Sequence, residues 1–189
     1  DLARLTAIHA EAPESPLILD GNAGLSRADA GELVRGLKAR GIAPAVLEQW
    51  LPKDDLVGMR ALGAESGWTV AADEAACTAD DVRRIAQAGA AQIVNIKLMK
   101  AGVAEALDLV AAARESGLGL MIGGNVESIL AMTVSACFAC GLGGFSYADL
   151  DTPLFLATNP FEGGFALDGG RISVAHITAG HGVVPKSQA

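Results

Sequence analysis

The feature that most constrains this chain is a recurrence. Four short apolar runs, Leu17-Ile18-Leu19, Ala45-Val46-Leu47, Thr69-Val70-Ala71-Ala72 and Gln92-Ile93-Val94-Asn95-Ile96, each run straight into a charged residue: Asp20, Glu48, Asp73 and Lys97. Those residues lie 28, 25 and 24 positions apart (20 to 48, 48 to 73, 73 to 97). A strand plus its crossover helix takes about that length, so the period predicts successive βα units with the four charged groups at equivalent strand ends. Apolar runs of this kind are strands buried on both faces of a parallel sheet, where a charge is tolerated only at the carboxyl end. Taken alone, Lys97 and Lys100 read equally well as solvated loop residues; the spacing decides for Lys97.

The intervening segments carry helix punctuation. Ser26 with Asp29 and Thr78 with Asp81 have capping-box spacing, Asp54 and Asp55 precede a helix over 56–66, and Gly41, Gly67 and Gly89 stand where helices end. A helix over 103–116 leads to a fifth strand, Leu118 to Ile122, halted by Gly123-Gly124-Asn125. Glu127-Ser128 open another helix, and a sixth strand, Gly144 to Ala148, ends at Asp149-Leu150-Asp151. Six strands separated by five helices call for right-handed parallel crossovers. An open doubly wound sheet would carry a G-x-G-x-x-G turn after its first strand; Asp20-Gly21-Asn22-Ala23-Gly24 is not one, and a barrel mouth onto which the strand ends converge fits better.

Composition narrows the chemistry. Fourteen basic against twenty-two acidic residues give a net charge of −8, which argues against nucleic acid as a partner. No apolar run reaches membrane-span length, so no membrane partner is expected. Three cysteines cannot all pair, so a reducing cytoplasm is the expected setting. Cys137-Phe138-Ala139-Cys140 has redox-motif spacing, but in an apolar helix without a second pair it reads as small core residues. Three carboxylates without a suitably placed histidine form an all-oxygen donor set, which suits magnesium rather than zinc. Beside such an ion Lys97 would have its pKa lowered and become available as a base, and the ion would stabilise an enediolate formed by loss of an α-proton. Asp149 and Asp151, on an extended strand end, would point to one side with Leu150 opposite, a pair that calls for a cation between them.

Taken together, Asp20-Gly21-Asn22, Glu48-Gln49, Ala72-Asp73-Glu74 and Asn95-Ile96-Lys97-Leu98-Met99-Lys100 resemble the metal and base motifs of the enolase superfamily, muconate-lactonizing subgroup, in order along residues 1 to 184. Asp149-Leu150-Asp151 is similar to the D-x-D signature of its dipeptide epimerases. The resemblance implies an α/β fold, an enolase-type (β/α)7β TIM-like barrel, of which strands 3–8, their helices and the C-terminal tail are present here. Residues 1–152 would form the partial barrel, and 153–189 a loop-rich tail packing on the barrel and on a capping domain. It implies Asp20, Glu48 and Asp73 as ligands of one magnesium ion, supported from behind by Asn22 and Gln49, and Lys97 as one of two acid/base lysines. Gly124 would line the substrate pocket, and Asp149 and Asp151 would bind the ammonium of a dipeptide. Asn125 and Trp50 depart from a methionine and a proline common at those places. The capping domain and the first two barrel strands, the second with a K-x-K motif, are not in this sequence, so the expectation is the carboxyl-terminal part of a longer polypeptide. The implied function is magnesium-dependent epimerisation of dipeptides at the α-carbon of the C-terminal residue, with a homo-oligomer compatible. The alternatives are an N-acylamino acid racemase, an o-succinylbenzoate synthase or cycloisomerase, or a non-catalytic metal-binding remnant.

Overall fold

The computed structural model describes residues 1–187. Helix α1 (Leu2–Glu11) precedes six strands, β1 (Ile18–Asp20), β2 (Val46–Glu48), β3 (Thr69–Ala72), β4 (Ile93–Lys97), β5 (Gly119–Gly123) and β6 (Phe145–Asp149). Between them run α2 (Arg27–Lys38), α3 (Leu56–Ser66), α4 (Ala79–Ala88), α5 (Leu98–Glu115) and α6 (Ile129–Leu142). Every neighbouring pair in this sheet is parallel, and sheet order follows chain order from β1 to β6. Among the described residues β1 and β6 pair on one side only.

The helices begin where the sequence punctuates them. Ser26 Oγ accepts from the Asp29 amide, Asp55 accepts from the Gly58 amide, and Thr78 and Asp81 form a reciprocal capping box. Ser128 occupies the start of α6 without a side-chain cap. Gly102, at φ 73°, breaks α5 so that its regular part begins at Val103, as the sequence suggests, and leaves residues 98–101 as a separate turn over the end of β4.

Alternation along the strands divides the core in two. Leu47, Val70, Ala72, Val94, Ile96, Leu120 and Ile122 pack outward against the helices in the main core. Val46, Ala71, Ile93 and Met121 form a second, smaller cluster on the opposite, inner face, with Tyr147 against it. Two residues along each strand from this inner layer lie Glu48, Asp73, Asn95, Gly123 and Asp149. The residues of the inner face therefore include the charged strand ends, stacked on a small apolar floor.

The register is staggered as a barrel wall requires. Asp20 pairs with Glu48, but Glu48 pairs with Ala71, two residues short of Asp73. Ala72 pairs with Val94, which sets Asp73 beside Asn95, two residues short of Lys97. Lys97 then pairs with Gly123, and Gly123 with Asp149. The strand-end residues thus climb four positions over five strand steps (two at β3, two at β4), the shear that tilted strands accumulate around a barrel.

Beyond β6 a 3-10 turn (Thr152–Phe155) leads to two small antiparallel pairs, β7 (Phe161–Gly163) with β10 (Val183–Pro185) and β8 (Ala166–Asp168) with β9 (Arg171–Ser173). The tail is anchored on α6, where the Phe165 amide donates to Thr133 Oγ1 at 3.0 Å. The cysteines depart from expectation. Cys137 is half-buried and Cys140 exposed, not core, because the end of α6 overhangs the unpaired side of β6 and leaves a groove lined by Ala136, Cys140, Phe145 and Tyr147. Among the described residues no helix is long and apolar enough to cross a membrane.

Candidate active site at the strand ends

Lys97 closes β4 and is 6% exposed; its Nζ lies 2.6 Å from Asp73 Oδ2. Lys100, one turn later, donates from Nζ to Asp73 Oδ1 at 2.5 Å, to the Asp73 carbonyl at 2.6 Å and to the Asn95 carbonyl at 3.2 Å. Asp73, 1% exposed, is therefore gripped by two ammonium groups from one strand end. The break at Gly102 gives Lys100 this reach, since the turn before it is free of the axis of α5. Asn95 is wholly buried; its Nδ2 donates to Glu48 Oε1 at 2.5 Å, while its Oδ1 has no partner among the described residues. Room for that amide comes from Gly123, where a Cβ would stand 2.7 Å from Asn95 Nδ2.

Electrostatics link these groups. Burial pushes the Glu48 carboxyl up to about 7; the Asn95 hydrogen bond pulls it down, Asp20 and Asp73 raise it further and Lys97 lowers it. Glu74 is also raised, first by burial and then by Asp73, and its buried Oε2 has no partner among the described residues. For Lys97 burial is the largest influence and lowers its pKa, but the hydrogen bond and charge of Asp73, with Glu48 and Asp20, outweigh it and the net direction is up. A lowered value for Lys97 depends on a cation beside it; its carboxylate neighbours by themselves act the other way.

Asp20 is exposed at the end of β1 and accepts from the Asn22 amide at 2.8 Å, so Asn22 supports it through the backbone. Gln49, wholly buried, accepts on Oε1 from the amides of Asp73 and Ala75. Trp50, where a proline would be common, is buried and donates from Nε1 to the Leu19 carbonyl at 2.7 Å. Gly124 lies just past β5, and a Cβ there would strike Met132 of α6, so the backbone at this point packs closely against the helix. Asp149 and Asp151 stand together at the end of β6 with Leu150 buried between them. Asp151 is helical (φ −86°, ψ −5°) rather than extended, because the chain turns there into the 3-10 segment. The two carboxyls nevertheless meet, and the Asp149 pKa is raised by burial first and then by the charge of Asp151, with Lys97 opposing.

The donor chemistry fits magnesium: Asp20 and Asp73 bear as like charges on Glu48, an arrangement that a divalent cation would relieve. Among the described residues, however, no three His, Cys, Asp or Glu side chains are gathered as a ready cage, since Asp73 is turned to its lysines and Glu48 to Asn95. Sequence reasoning passed over Lys100, Asn95, Gly123 and Glu74 as site residues. The alternation of β4 could have found Asn95, two positions before Lys97 on the same face.

A parallel, sheared sheet with carboxylates and a buried lysine at its carboxyl ends defines the wall of an α/β barrel with its site at the mouth. The family model for enolase C-terminal domain-like proteins matches residues 1–189, and the chain belongs to that family. A curated relative, the aromatic dipeptide epimerase of Herpetosiphon aurantiacus, is 56% identical over 97% of this chain and 51% of its own length. The crystal structure of a mandelate racemase/muconate lactonizing enzyme from Roseiflexus sp. is 56% identical with a TM-score of 0.95, over 98% of this chain and 54% of that one. A dipeptide epimerase from Cytophaga hutchinsonii, solved with Mg and the dipeptide D-Ala-L-Val, has a TM-score of 0.89 at 28% identity, over 98% of this chain and 50% of that one. The chain spans about half the length of the curated relatives it matches. The six strands are therefore a portion of an enolase-type barrel, as the motifs imply.

Proposed function

We propose that these residues form the catalytic barrel wall of a magnesium-dependent epimerase acting on the α-carbon of a dipeptide's C-terminal residue. The observation that carries the reading is Lys97: a nearly buried lysine at a strand end, 2.6 Å from Asp73 and on the same face as Glu48 and Asp149. In this reading Asp20, Glu48 and Asp73 hold magnesium, which when bound supplies Lewis-acid stabilisation of charge growing on the substrate carboxylate. Lys97 removes or returns the α-proton on one face, and Asp73 and Lys100 fix where its Nζ stands. Epimerisation inverts a centre, so a second acid/base group serves the opposite face. Asp149 and Asp151 receive the free ammonium and orient the dipeptide; Gly124 lies beside the pocket. The tail from residue 153 packs on the barrel and, in the whole protein, against a capping domain. The dipeptide names of the relatives above and the meeting of Asp149 with Asp151 both support this over the N-acylamino acid racemase reading, in which the pair has no ammonium to bind.

The test uses the full-length protein in deuterated buffer with magnesium, following α-proton exchange and epimer formation by NMR for free dipeptides and their N-acetylated forms. Turnover of free dipeptides with little of the acetylated ones is the expected result. Equal turnover of both would replace the reading with an N-acylamino acid racemase. Magnesium binding without exchange in any substrate would leave a non-catalytic metal-binding domain.

A further inference from the structure

Gln49 follows Glu48 directly, is 0% exposed, and adopts φ 36°, a left-handed conformation that a non-glycine residue holds only where its surroundings impose it. Among the described residues the other two non-glycine residues with positive φ, Asn22 (45°) and Ala23 (55°), lie in the loop after Asp20. The Ala23 amide donates to the Gln49 carbonyl at 2.6 Å, and the Gln49 amide donates to the Ala71 carbonyl at 2.9 Å. Its side-chain Oε1 accepts from Asp73 N at 2.9 Å and from Ala75 N at 3.1 Å. Its Nε2 donates to the Leu51 carbonyl at 2.9 Å and faces Met59 Sδ at 3.7 Å. Each polar atom of this one residue is bonded, and the bonds reach the loops that carry Asp20, Glu48 and Asp73.

The chemistry of the side chain is specific. A glutamate would keep the acceptor for Asp73 and Ala75 but would set its second, negative oxygen against the Leu51 carbonyl. An aliphatic side chain would leave two buried amides unpaired. We propose that Gln49 is a positioning residue that clamps the three carboxylate-bearing loops into one arrangement and thereby sets the affinity of the mouth for a divalent cation. The proposal rests on the reading of Asp20, Glu48 and Asp73 as magnesium ligands.

The experiment takes the full-length protein and its Gln49→Gly, Gln49→Ala and Gln49→Glu variants. Magnesium affinity is measured by calorimetry well below each melting temperature, and amide exchange is followed residue by residue in chelator. Gln49→Gly removes the clamp while relieving the left-handed backbone, so it separates loss of the amide from strain. Both Gln49→Gly and Gln49→Ala are expected to weaken magnesium about ten- to a hundredfold. In both, the amides of Asp73 and Ala75 exchange faster while those of α4 and β4 do not. Gln49→Glu fails to restore either property. Magnesium binding by Gln49→Gly within about twofold of the parent, or unchanged exchange at Asp73 and Ala75, overturns the proposal; a merely structural role would lower the melting temperature and leave both readouts in place. If the parent itself binds no magnesium, the metal reading falls, and exchange at Asp73 and Ala75 alone decides whether the clamp exists.

Discussion

At the ends of β2, β3 and β4, Glu48, Asp73 and Lys97 lie almost wholly beneath the surface, and each has a partner within the chain. At the end of β6, Asp149 and Asp151 stand at the unpaired side of the sheet, and among the described residues neither carboxylate has an ion pair. The first region carries its own cations in Lys97 and Lys100, so it holds its shape before anything binds. The second brings two negative groups together without one, and in the proposed reading the complement arrives with the ligand. A single mouth thus combines an internally braced half and a half whose like charges are left uncompensated, to which the proposed function assigns chemistry and recognition respectively.

The contrast can be broken most sharply at Lys97. Lys97→Ala in the full-length protein is expected to reduce α-proton exchange from one epimer by about 10²–10⁴-fold, the range for a lost general base, and to leave residual exchange from the other. Equal residual exchange from both epimers, read by NMR, would remove Lys97 from its role.

Glu48 tests the cost of burying charge in the braced half. Its carboxyl is raised to about 7 from 4.5, so in the metal-free protein the unfolded chain ionises first as pH rises. Stability supplied by the protonated form is present below about pH 4.5 and lost as pH climbs through 7, a difference of about 3 kcal/mol at pH 8. Glu48→Gln in chelator should therefore withstand more denaturant than the parent at pH 8, with the gap closing near pH 4. The same variant should lose stabilisation by magnesium. Equal pH profiles for parent and variant would show that Glu48 ionises normally.

The half at the end of β6 is expected to respond more mildly, because Asp149 and Asp151 lie nearer the surface than Glu48, Asp73 and Lys97. Asp149→Asn or Asp151→Asn is expected to lower kcat/KM for free dipeptides about tenfold and to leave the N-acetylated forms unchanged. Loss of both substrates alike would place the pair in the braced half after all. The smallest effect is in pH: since the Asp149 carboxyl is held above the usual aspartate range, KM for a free dipeptide should rise as pH falls through the acidic range. Asp149→Asn should flatten that dependence.

How much of this was legible in sequence follows the same division. Asp20, Glu48, Asp73 and Lys97 could be placed at strand ends because periodicity fixes where a strand stops, and their strands begin and end within a residue or two of expectation. The helix expected from Val103 does become regular there, after the break at Gly102. That its positive φ would swing Lys100 onto Asp73 could not be read, since both residues carry ordinary loop signals and the contact spans 27 positions. The left-handed turn at Gln49 was equally hidden, because no glycine or asparagine marks it. Cys137 and Cys140 looked like core by composition, but exposure there depends on where the sheet has an unpaired side, a tertiary fact. Strand alternation predicts an extended Asp151, but β6 ends at Asp149 and the chain has already turned two residues later.

Because sheet order repeats chain order, each βα unit adds one wall and one strand-end group, and units distant in sequence are not interleaved. A cut in the loop between α4 and β4 would part Asp20, Glu48 and Asp73 from Lys97 without severing any strand. The two fragments would meet along β3 against β4, with Ala71 on Ile93 and Ala72 on Val94, and along α4 against α5. Such a molecule is suited to reassembly from pieces: Asp20, Glu48 and Asp73 on one fragment, Lys97 on the other, brought back together only as the seam closes.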